Sequence, residues 1–345
     1  MTSTVKNEAA WIKSASQYPL VIEEGQLPKA GPGEIVIKNA AVSINPIDWK
    51  IQAYGFYFSK YPHILGTDVA GHVEMVGSGV TRLAKGDRVI AHCHGLHTKN
   101  PANGGFQNYT VATDALISPI PDSLSFEQAV VLPLALSTAC AGLYPKHLLN
   151  LPLPSVIKPE KTGKTILIWG GASSVGATAI QLATFSGVRV VTTASAANHS
   201  FVKSLGADAV FDYKSSTVIE DVTHALTGTD FAGVYDAVSM DSSFDAVASI
   251  LDNLGHKQPV ATVLPGNKNI ERYNAEYVLA FATIQEPHQY IGVWIWKTFI
   301  FQALANGSFQ AKPDPLVAGH GVRDIQKALD LQREGVSAKK VVVTF

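Results

Sequence analysis

The first third of the chain consists of short apolar runs separated by glycine, proline and asparagine. EIVIKNAAVSI, residues 34–44, alternates partly between apolar and polar positions, as a β-strand does. GHVEMVGSGV (71–80) and GDRVIAH (86–92) have the character of further strands bounded by glycine turns. Together these runs predict an all-β region, built as a small barrel.

The pattern changes near Ser125. SFEQAVVLPLALSTACAGLY, residues 125–144, is apolar at helical spacing with Ser125 as its N-cap, and a proline-rich loop follows at 148–164. Beyond it, predicted strands alternate with predicted helices: strands at 165–170, 188–194, 209–213, 230–238 and 259–264, helices at 175–187 and 199–207. This alternation predicts a parallel, doubly wound sheet. An amphipathic helix and a strand follow at 321–335 and 339–345.

The composition narrows the class of protein. Of the 345 residues, 46% are hydrophobic and 16% charged, which suits two domains with large cores. The net charge of −1, without a run of Lys or Arg, argues against nucleic acid and anionic membranes as partners. Two cysteines, Cys93 and Cys140, favour a reducing compartment. With no apolar leader and no uninterrupted membrane-length stretch, we expect a soluble, cytoplasmic protein.

The most specific motif is TILIWGGASSVGATAIQLA, residues 165–183, in which a buried strand enters a glycine-rich turn and then a helix. Gly171, Ser173 and Gly176 take the three places of the dinucleotide-binding fingerprint. We expect Gly171 to allow the tight turn and Gly176 to allow close packing of the helix on the strand. The hydroxyls of Ser173 and Ser174 and the backbone at Val175 complete an anion site. An ordinary strand–helix turn with small residues is the alternative.

The second predicted strand indicates which nucleotide binds. An NAD site usually has an acidic residue there, but no Asp or Glu occurs between Gly170 and Ala207. Hydroxyl, amide and cationic side chains stand near the expected place instead: Ser195, Asn198, His199 and Lys203. This set favours a 2′-phosphate, and hence NADP(H). The alternative is that His199 and Lys203 are only exposed helix residues.

Several landmarks in order resemble one enzyme family: NPIDWK (45–50), ILGTDVAGHVEMVGSGV (64–80), KGDRV (85–89), GGASSVGATAIQLA (170–183) and SLGADAVFDY (204–213). From about residue 34 to 345 the chain resembles the medium-chain dehydrogenase/reductases of the zinc-free quinone-reductase and enoyl-reductase branch. Within that branch it is most similar to fungal stand-alone enoyl reductases that serve polyketide synthases in trans.

The resemblance implies a fold and partners. A GroES-like β-barrel catalytic domain (1–125 and 285–345) would pack against a Rossmann NADP(H)-binding domain (126–284), with the active site in the cleft between them. The substrate would be a small molecule or a carrier-bound acyl group, the partner a polyketide synthase in trans, and the protein a monomer or homodimer.

The resemblance also bears on metal binding. In zinc-dependent relatives a Cys ligand lies where Asn45 falls here, and a His-Glu pair lies where Thr67 and Asp68 fall. Asparagine and threonine are poor zinc ligands, so we expect no catalytic zinc. The group His92, Cys93, His94 and His97 fits no standard zinc spacing, which leaves two interpretations: a metal cluster, or a loop whose histidines are solvated or line the substrate entrance.

Candidate catalytic residues follow from the same comparison. It places Asn45 and Lys50 near the nicotinamide ribose and the reacting carbons. Tyr54 lies near the position of a catalytic tyrosine in related enoyl thioester reductases, but the register leaves Phe56 or Tyr57 as alternatives, and aromatic packing in a pocket wall explains Tyr54 equally well.

Further cofactor contacts are implied at three positions: Thr138 near the nicotinamide, Tyr213 near the adenosine phosphate, and Leu264 after the fifth strand. Helix packing for Thr138 and core packing for Leu264 are the alternatives, and we expect Cys140 to be an inert buried thiol. Trp294 and Trp296 lie in an aromatic segment that forms either an acyl-chain pocket or, more simply, core.

Without a metal to polarise a carbonyl, hydride transfer needs an acceptor that is already electron-poor. We therefore expect an NADPH-dependent, zinc-independent reductase of an activated C=C bond, such as an enoyl thioester of secondary metabolism. An NADPH:quinone oxidoreductase is the first alternative, and a non-catalytic NADPH-binding protein is the alternative from another class.

Overall fold

The computed structural model describes residues 5–157, 159–255 and 257–345, which form two compact units. Unit 1 contains the described residues up to Leu134 together with Asp314–Phe345, and unit 2 contains those of Ala135–Pro313. These limits differ from the expected domains at both boundaries. Residues 126–134 group with unit 1, and residues 285–313 group with unit 2.

The described part of the chain contains sixteen β-strands and twelve α-helices, besides six short 3-10 or π elements. The strands are β1 (Asn7–Ile12), β2 (Val21–Gly25), β3 (Glu34–Ser43), β4 (His63–Ile64), β5 (Asp68–Val76), β6 (Arg88–His92), β7 (Tyr109–Thr113), β8 (Ile117–Pro119), β9 (Lys164–Trp169), β10 (Arg189–Thr193), β11 (Ala209–Phe211), β12 (Asp230–Asp236), β13 (Val260–Thr262), β14 (Ala275–Tyr277), β15 (Asp314–His320) and β16 (Lys339–Thr344). The helices are α1 (Pro46–Tyr54), α2 (Gly95–Thr98), α3 (Phe126–Ala129), α4 (Pro133–Leu143), α5 (Ser174–Phe185), α6 (His199–Ser204), α7 (Val218–Leu226), α8 (Asp241–Leu254), α9 (Lys268–Glu271), α10 (Gln289–Trp294), α11 (Ile300–Ala305) and α12 (Ile325–Glu334).

Unit 1 is built around the long strand β3. A seven-stranded sheet runs in the order β15-β16-β3-β5-β6-β8, with β7 also paired to β3, and a smaller sheet has the order β2-β1-β4. The strands predicted at 34–44, 71–80 and 86–92 are confirmed as β3, β5 and β6. The antiparallel register places Ser43 of β3 opposite Asp68 of β5, and Asp68 opposite His92 of β6. Three polar side chains thereby meet at one end of the sheet.

Unit 2 is built on a six-stranded sheet in the order β11-β10-β9-β12-β13-β14, in which every pairing is parallel. The predicted doubly wound sheet is therefore confirmed. The chain reverses direction across the sheet between β9 and β12, so their carboxyl ends form the point at which such folds bind ligands. A core of aliphatic and aromatic side chains, including Leu167, Val234 and Phe244, fills one face of this sheet.

The prediction of a single helix at 125–144 is wrong. Two helices, α3 and α4, replace it, because Pro133 lacks an N–H and restricts the residue before it, so the first helix ends and a second begins at the proline. The stretch Phe126–Leu143 is long and apolar enough to cross a membrane by length and composition alone, but 72% of it is buried inside the protein.

Trp296, in the aromatic segment near residue 295, belongs to the core. It is 1% exposed, and Phe299 packs edge-on against Phe185 with ring centroids 5.3 Å apart. The Trp294 indole N–H donates to the carbonyl oxygen of Pro154 at 2.8 Å, but Trp294 is 37% exposed. These contacts join the segment to unit 2. The simpler interpretation, core packing, therefore holds for Trp296 and not for Trp294.

Candidate active site

The glycine-rich turn after β9 is shaped by close backbone approach. Gly170 has a φ of +80°, a conformation that favours glycine. A Cβ at Gly176 would lie 2.3 Å from the carbonyl oxygen of Gly170, so a side chain there would push α5 away from the strand. The predicted reason for Gly176 is therefore confirmed. The left-handed turn residue, however, is Gly170 and not Gly171, which is instead confined by the side chains of Thr192 and Ile180.

Helix α5 begins at this turn, and the backbone N–H groups of its first turn are available as hydrogen-bond donors. The Ser173 hydroxyl oxygen caps the helix by accepting from the Gly176 N–H at 3.0 Å. The N–H groups of Ser174 and Val175, in the first turn, have no acceptor within the helix. A pyrophosphate at this end would meet those N–H groups and the positive end of the helix dipole. The residues present therefore fit a dinucleotide cofactor.

The carboxyl end of β10 carries the groups predicted to meet the ribose. The Asn198 amide donates to the Ser195 hydroxyl oxygen at 3.1 Å, which holds both side chains at the start of the next turn. Lys203 is exposed in the last turn of α6. Tyr213 is 47% exposed after β11, and the Lys214 ammonium lies 5.8 Å from its ring centroid. Lys214 is a second cation that the motif did not reveal.

Two further predicted cofactor contacts lie elsewhere in unit 2. Thr138 is half-buried in α4, and its carbonyl oxygen accepts from the Tyr235 hydroxyl at 2.7 Å. Leu264 is half-buried two residues after β13. Cys140 is buried, and burial raises the pKa of its thiol well above the ordinary value, as expected for an inert cysteine. The cofactor roles of Thr138 and Leu264 stay predictions.

In unit 1, a buried polar network surrounds the start of α1. The Asn45 amide nitrogen donates to the Thr67 hydroxyl at 2.8 Å and to the Asp68 carboxylate at 2.7 Å. The same Asp68 oxygen accepts from the Ser43 hydroxyl at 2.7 Å, and the other accepts from the Leu134 N–H at 2.6 Å. Both hydrogens of the Asn45 amide and both oxygens of Asp68 are therefore engaged within the protein.

A lysine from the last strand completes this network. The Lys340 ammonium donates to the Asn45 side-chain oxygen and lies 3.4 Å from the Asp68 carboxylate. Its side chain is 3% exposed and that of Asp68 is fully buried, so the pair is shielded from water on both sides. Sequence reasoning did not find Lys340, because it lies 295 positions from Asn45 and belongs to no motif.

Helix α1, which the sequence did not predict, carries Lys50 and Tyr54. Lys50 is half-buried, and this desolvation lowers the pKa of its ammonium group below the ordinary 10.5. Tyr54, at the last position of α1, is 66% exposed, which does not fit the alternative of a packed wall residue. Phe56 and Tyr57 are also exposed, and Tyr57 has a φ of +86°, which is strained for a tyrosine. The catalytic roles of Asn45, Lys50 and Tyr54 stay predictions.

Comparison with known proteins identifies the family. Residues 31–122 match the alcohol dehydrogenase GroES-like domain, and residues 174–286 match the zinc-binding dehydrogenase domain. The chain is 41% identical over 340 residues to the trans-enoyl reductase himH of Aspergillus japonicus, and the match covers 98% of this chain and 97% of that one. The chain belongs to the medium-chain dehydrogenase/reductase superfamily.

Solved structures of this superfamily share the fold over its whole length. A mycobacterial protein in complex with NADPH is 25% identical, with a TM-score of 0.71, covering 98% of this chain and all of that one. The CurK enoyl reductase is 21% identical, with a TM-score of 0.74, covering 98% of this chain and 99% of that one. The predicted fold class, a GroES-like domain with a parallel Rossmann sheet, is confirmed, and so is the predicted resemblance to fungal trans-enoyl reductases.

A catalytic zinc does not fit the residues that this medium-chain reductase has at the corresponding place. The position of a metal ligand beside Asp68 is taken by the Asn45 amide, and the carboxylate already accepts from Ser43, Asn45 and Leu134 while facing the Lys340 ammonium. Across residues 5–157, 159–255 and 257–345, no group of three or more His, Cys, Asp and Glu side chains is arranged to hold a metal ion.

The histidine-rich loop is mostly interior. His92, Cys93 and His94 are buried, and only His97 of the four is exposed, so the interpretation of a solvated loop holds for His97 alone. Burial lowers the pKa of both His92 and His94 to about 4, which keeps them neutral at physiological pH, and raises that of the Cys93 thiol. Neutral, buried imidazoles pack this corner of unit 1.

Asp48, in the first turn of α1, is a fully buried carboxyl group. It accepts from the N–H of Asn45 at 2.8 Å and from that of Gly66 at 3.2 Å. Burial raises its pKa from the ordinary 3.8 to about 7, with a contribution from the nearby negative charge of Asp68, and these hydrogen bonds and Lys340 oppose the shift. The carboxyl group is therefore substantially protonated near neutral pH.

The raised pKa of Asp48 predicts a pH-dependent difference in stability. Because the folded-state value exceeds the unfolded one, the neutral carboxyl stabilises the fold below about pH 4, and this contribution is lost as the pH rises through about 7. Asp48→Asn cannot ionise. We expect its unfolding free energy, relative to wild type, to rise by about 2 kcal/mol between about pH 5 and pH 8 in urea titrations. Asp122→Asn, with a side chain 99% exposed, is the control. A difference independent of pH would contradict the assignment.

Proposed function

We propose that this protein is an NADPH-dependent, zinc-independent reductase of an activated carbon–carbon double bond. The observation that carries the proposal is the saturated network at Asp68, in which the Lys340 ammonium and three hydrogen-bond donors take the place that metal ligands would need. An acceptor that is already electron-poor, such as an enoyl thioester or an α,β-unsaturated carbonyl compound, needs no metal to polarise it.

The cofactor half of the reaction rests on the turn after β9. The N–H groups at the start of α5 suit a pyrophosphate, and Ser195, Asn198 and Lys203 suit a 2′-phosphate. NADPH, when bound, supplies the hydride. The protein's own contribution there is to hold the nucleotide in one orientation, which removes most of the entropic cost of bringing two reactants together.

The substrate half of the reaction rests on α1. As hydride reaches the β-carbon of the substrate, the electron pair of the double bond moves toward the carbonyl, and negative charge develops on its oxygen. The Lys50 ammonium donates a hydrogen bond to that oxygen, and a proton from water or a side chain then reaches the α-carbon. Lys50 is suited to this because partial burial strips water from the ammonium group and strengthens its interaction with an anion.

The biological setting follows from the relatives. The similarity to a fungal protein named a trans-enoyl reductase extends over both units, so we infer a role in secondary metabolism beside a polyketide synthase. Such a partner would deliver the acyl substrate as a carrier-bound thioester. An NADPH:quinone oxidoreductase is the alternative, since the branch includes both activities.

A substrate panel tests the proposed reaction. We expect oxidation of NADPH with a crotonyl-type thioester or a simple enone, measured by nicotinamide absorbance, at a rate unchanged by a chelator. Turnover of a benzoquinone alone would favour the quinone oxidoreductase. Aldehyde reduction that a chelator abolishes would contradict the metal-free site, and binding of NADPH without turnover of any acceptor would indicate a non-catalytic protein.

Nucleotide preference tests the cofactor assignment. We expect NADPH to bind at least about tenfold more tightly than NADH, because the β10 edge offers a cation and hydroxyls and the segment 171–206 contains no carboxylate. Lys203→Ala should weaken NADPH about tenfold and NADH less than about twofold, by fluorescence titration. Lys161→Ala, at an exposed lysine before β9, is the control. Equal affinities of the wild type for both nucleotides would contradict the assignment.

Substitution of Lys50 tests the catalytic assignment. Removal of one donor to a developing oxyanion should lower kcat of Lys50→Ala about 100-fold and change KM less than about threefold, because the interaction strengthens only in the transition state. Lys60→Ala, an exposed lysine just beyond α1, should retain the wild-type kcat. Unchanged turnover of the Lys50 variant would remove this residue from the mechanism.

A further inference from the structure

Strand pairing brings Lys340 to the start of α1. The Ile44 N–H donates to the carbonyl oxygen of Val341 at 2.9 Å, and Val342 pairs with Ser43. The side chain of Lys340 is directed into the protein and is 3% exposed. A lysine is almost never buried to this extent without a partner, because loss of hydration of the ammonium must be offset by a specific interaction.

The Lys340 ammonium has one charged partner and one polar partner. The Asp68 carboxylate, 3.4 Å away, balances the positive charge, and the Asn45 side-chain oxygen accepts from the ammonium. Because the oxygen of the amide faces Lys340, its nitrogen faces Thr67 and Asp68 and donates to both. Lys340 thus fixes which way the Asn45 amide is turned.

Asn45 in turn defines where α1 begins. Its backbone N–H donates to the Asp48 carboxyl at 2.8 Å, and its carbonyl oxygen accepts from the Asp48 N–H at 3.0 Å. A helix is stiff over one turn, so the placement of its first turn sets the placement of a side chain four positions further along. Lys50 stands four residues after Pro46, the first residue of α1.

We propose that Lys340 is a positioning residue, an internal cation that orients Asn45 and Asp68 and thereby sets the first turn of α1 and the placement of Lys50. The ammonium gives this network the positive charge that its buried carboxylate requires. The kinetic consequence rests on the proposed function of Lys50, whereas the effect on the placement of Lys50 does not.

The kinetic experiment compares two neighbouring lysines. Lys340→Met keeps an unbranched side chain one atom shorter than lysine and removes its charge, and Lys339→Met changes an exposed lysine that lies 3.5 Å from Asp314. We expect kcat of Lys340→Met to fall about tenfold or more, with KM and the Kd of NADPH within about threefold of wild type, and Lys339→Met to behave as wild type. A lower Tm with an unchanged kcat would mean a purely structural role and would overturn the proposal.

A double variant separates charge balance from positioning. Asp68→Asn combined with Lys340→Met leaves the network neutral, so we expect it to recover at least half of the Tm lost in Lys340→Met and to remain expressible if that variant does not fold. Its kcat should stay low, because the amide of Asn45 still lacks the ammonium. No recovery of Tm would overturn the charge-balancing role, and a wild-type kcat would overturn the positioning role.

The reactivity of the Lys50 amine provides a measurement that needs no turnover. Lysine acetylation, followed residue by residue by mass spectrometry, should change in rate about threefold or more at Lys50 in the double variant, while Lys60 reacts as in wild type. An unchanged rate at Lys50 would overturn the proposal. If wild-type protein reduces no acceptor in the panel, the proposed function fails, and this labelling experiment still decides the role of Lys340.

Discussion

The fully buried carboxylate of Asp68 imposes the constraint on which the structure of unit 1 depends. A buried charge is tolerated only where hydrogen bonds and an opposite charge replace water, and Asp68 obtains both from four different segments of unit 1. Those segments include β3, the start of α1, the start of α4 and the last strand, β16. One carboxylate thereby ties together elements that are distant in sequence, and loss of the Lys340 ammonium would leave its charge without an opposite charge in this network.

Unit 2 meets a different requirement. Under the proposed function, it presents the backbone N–H groups at the start of α5 to the pyrophosphate of the cofactor. Its parallel sheet changes winding direction between β9 and β12, and the helix that follows β9 begins at that point. Gly176 allows the helix to approach the turn after β9 so closely that a side chain would not fit between them, and Gly170 leaves no room for a side chain beside Val238. At this turn the fold requires that a side chain be absent, whereas at Asp68 it requires that hydrogen-bond donors and an opposite charge be present.

This difference explains how much the sequence could predict. The strand β9, the turn and the helix α5, together with the reason for Gly176, follow from local patterns, since they lie within about twenty residues. The later helices α7 and α8 were not predicted. Lys340 could not be found in this way, because its partner Asn45 is 295 positions distant and only strand pairing joins them. Helix α1 was missed because apolar residues occupy every second position from Ile47 to Ala53, which is the spacing of a strand and not of a helix.

The buried network of unit 1 has a consequence for Lys50. An amine on a short helix is useful for catalysis only if the helix holds one position, and nine residues give little intrinsic helix stability in water. Tertiary contacts must supply that stability, and the fixed first turn at Asn45 and Asp48 does so from inside the protein, where hydrogen bonds are shielded from water. Under the proposed function, Lys50 itself then needs only partial burial, which would leave its ammonium accessible to a substrate while reducing its hydration. The buried network therefore holds the first turn of α1 in one position. Under the proposed function, this rigidity is what allows Lys50 to act on the substrate.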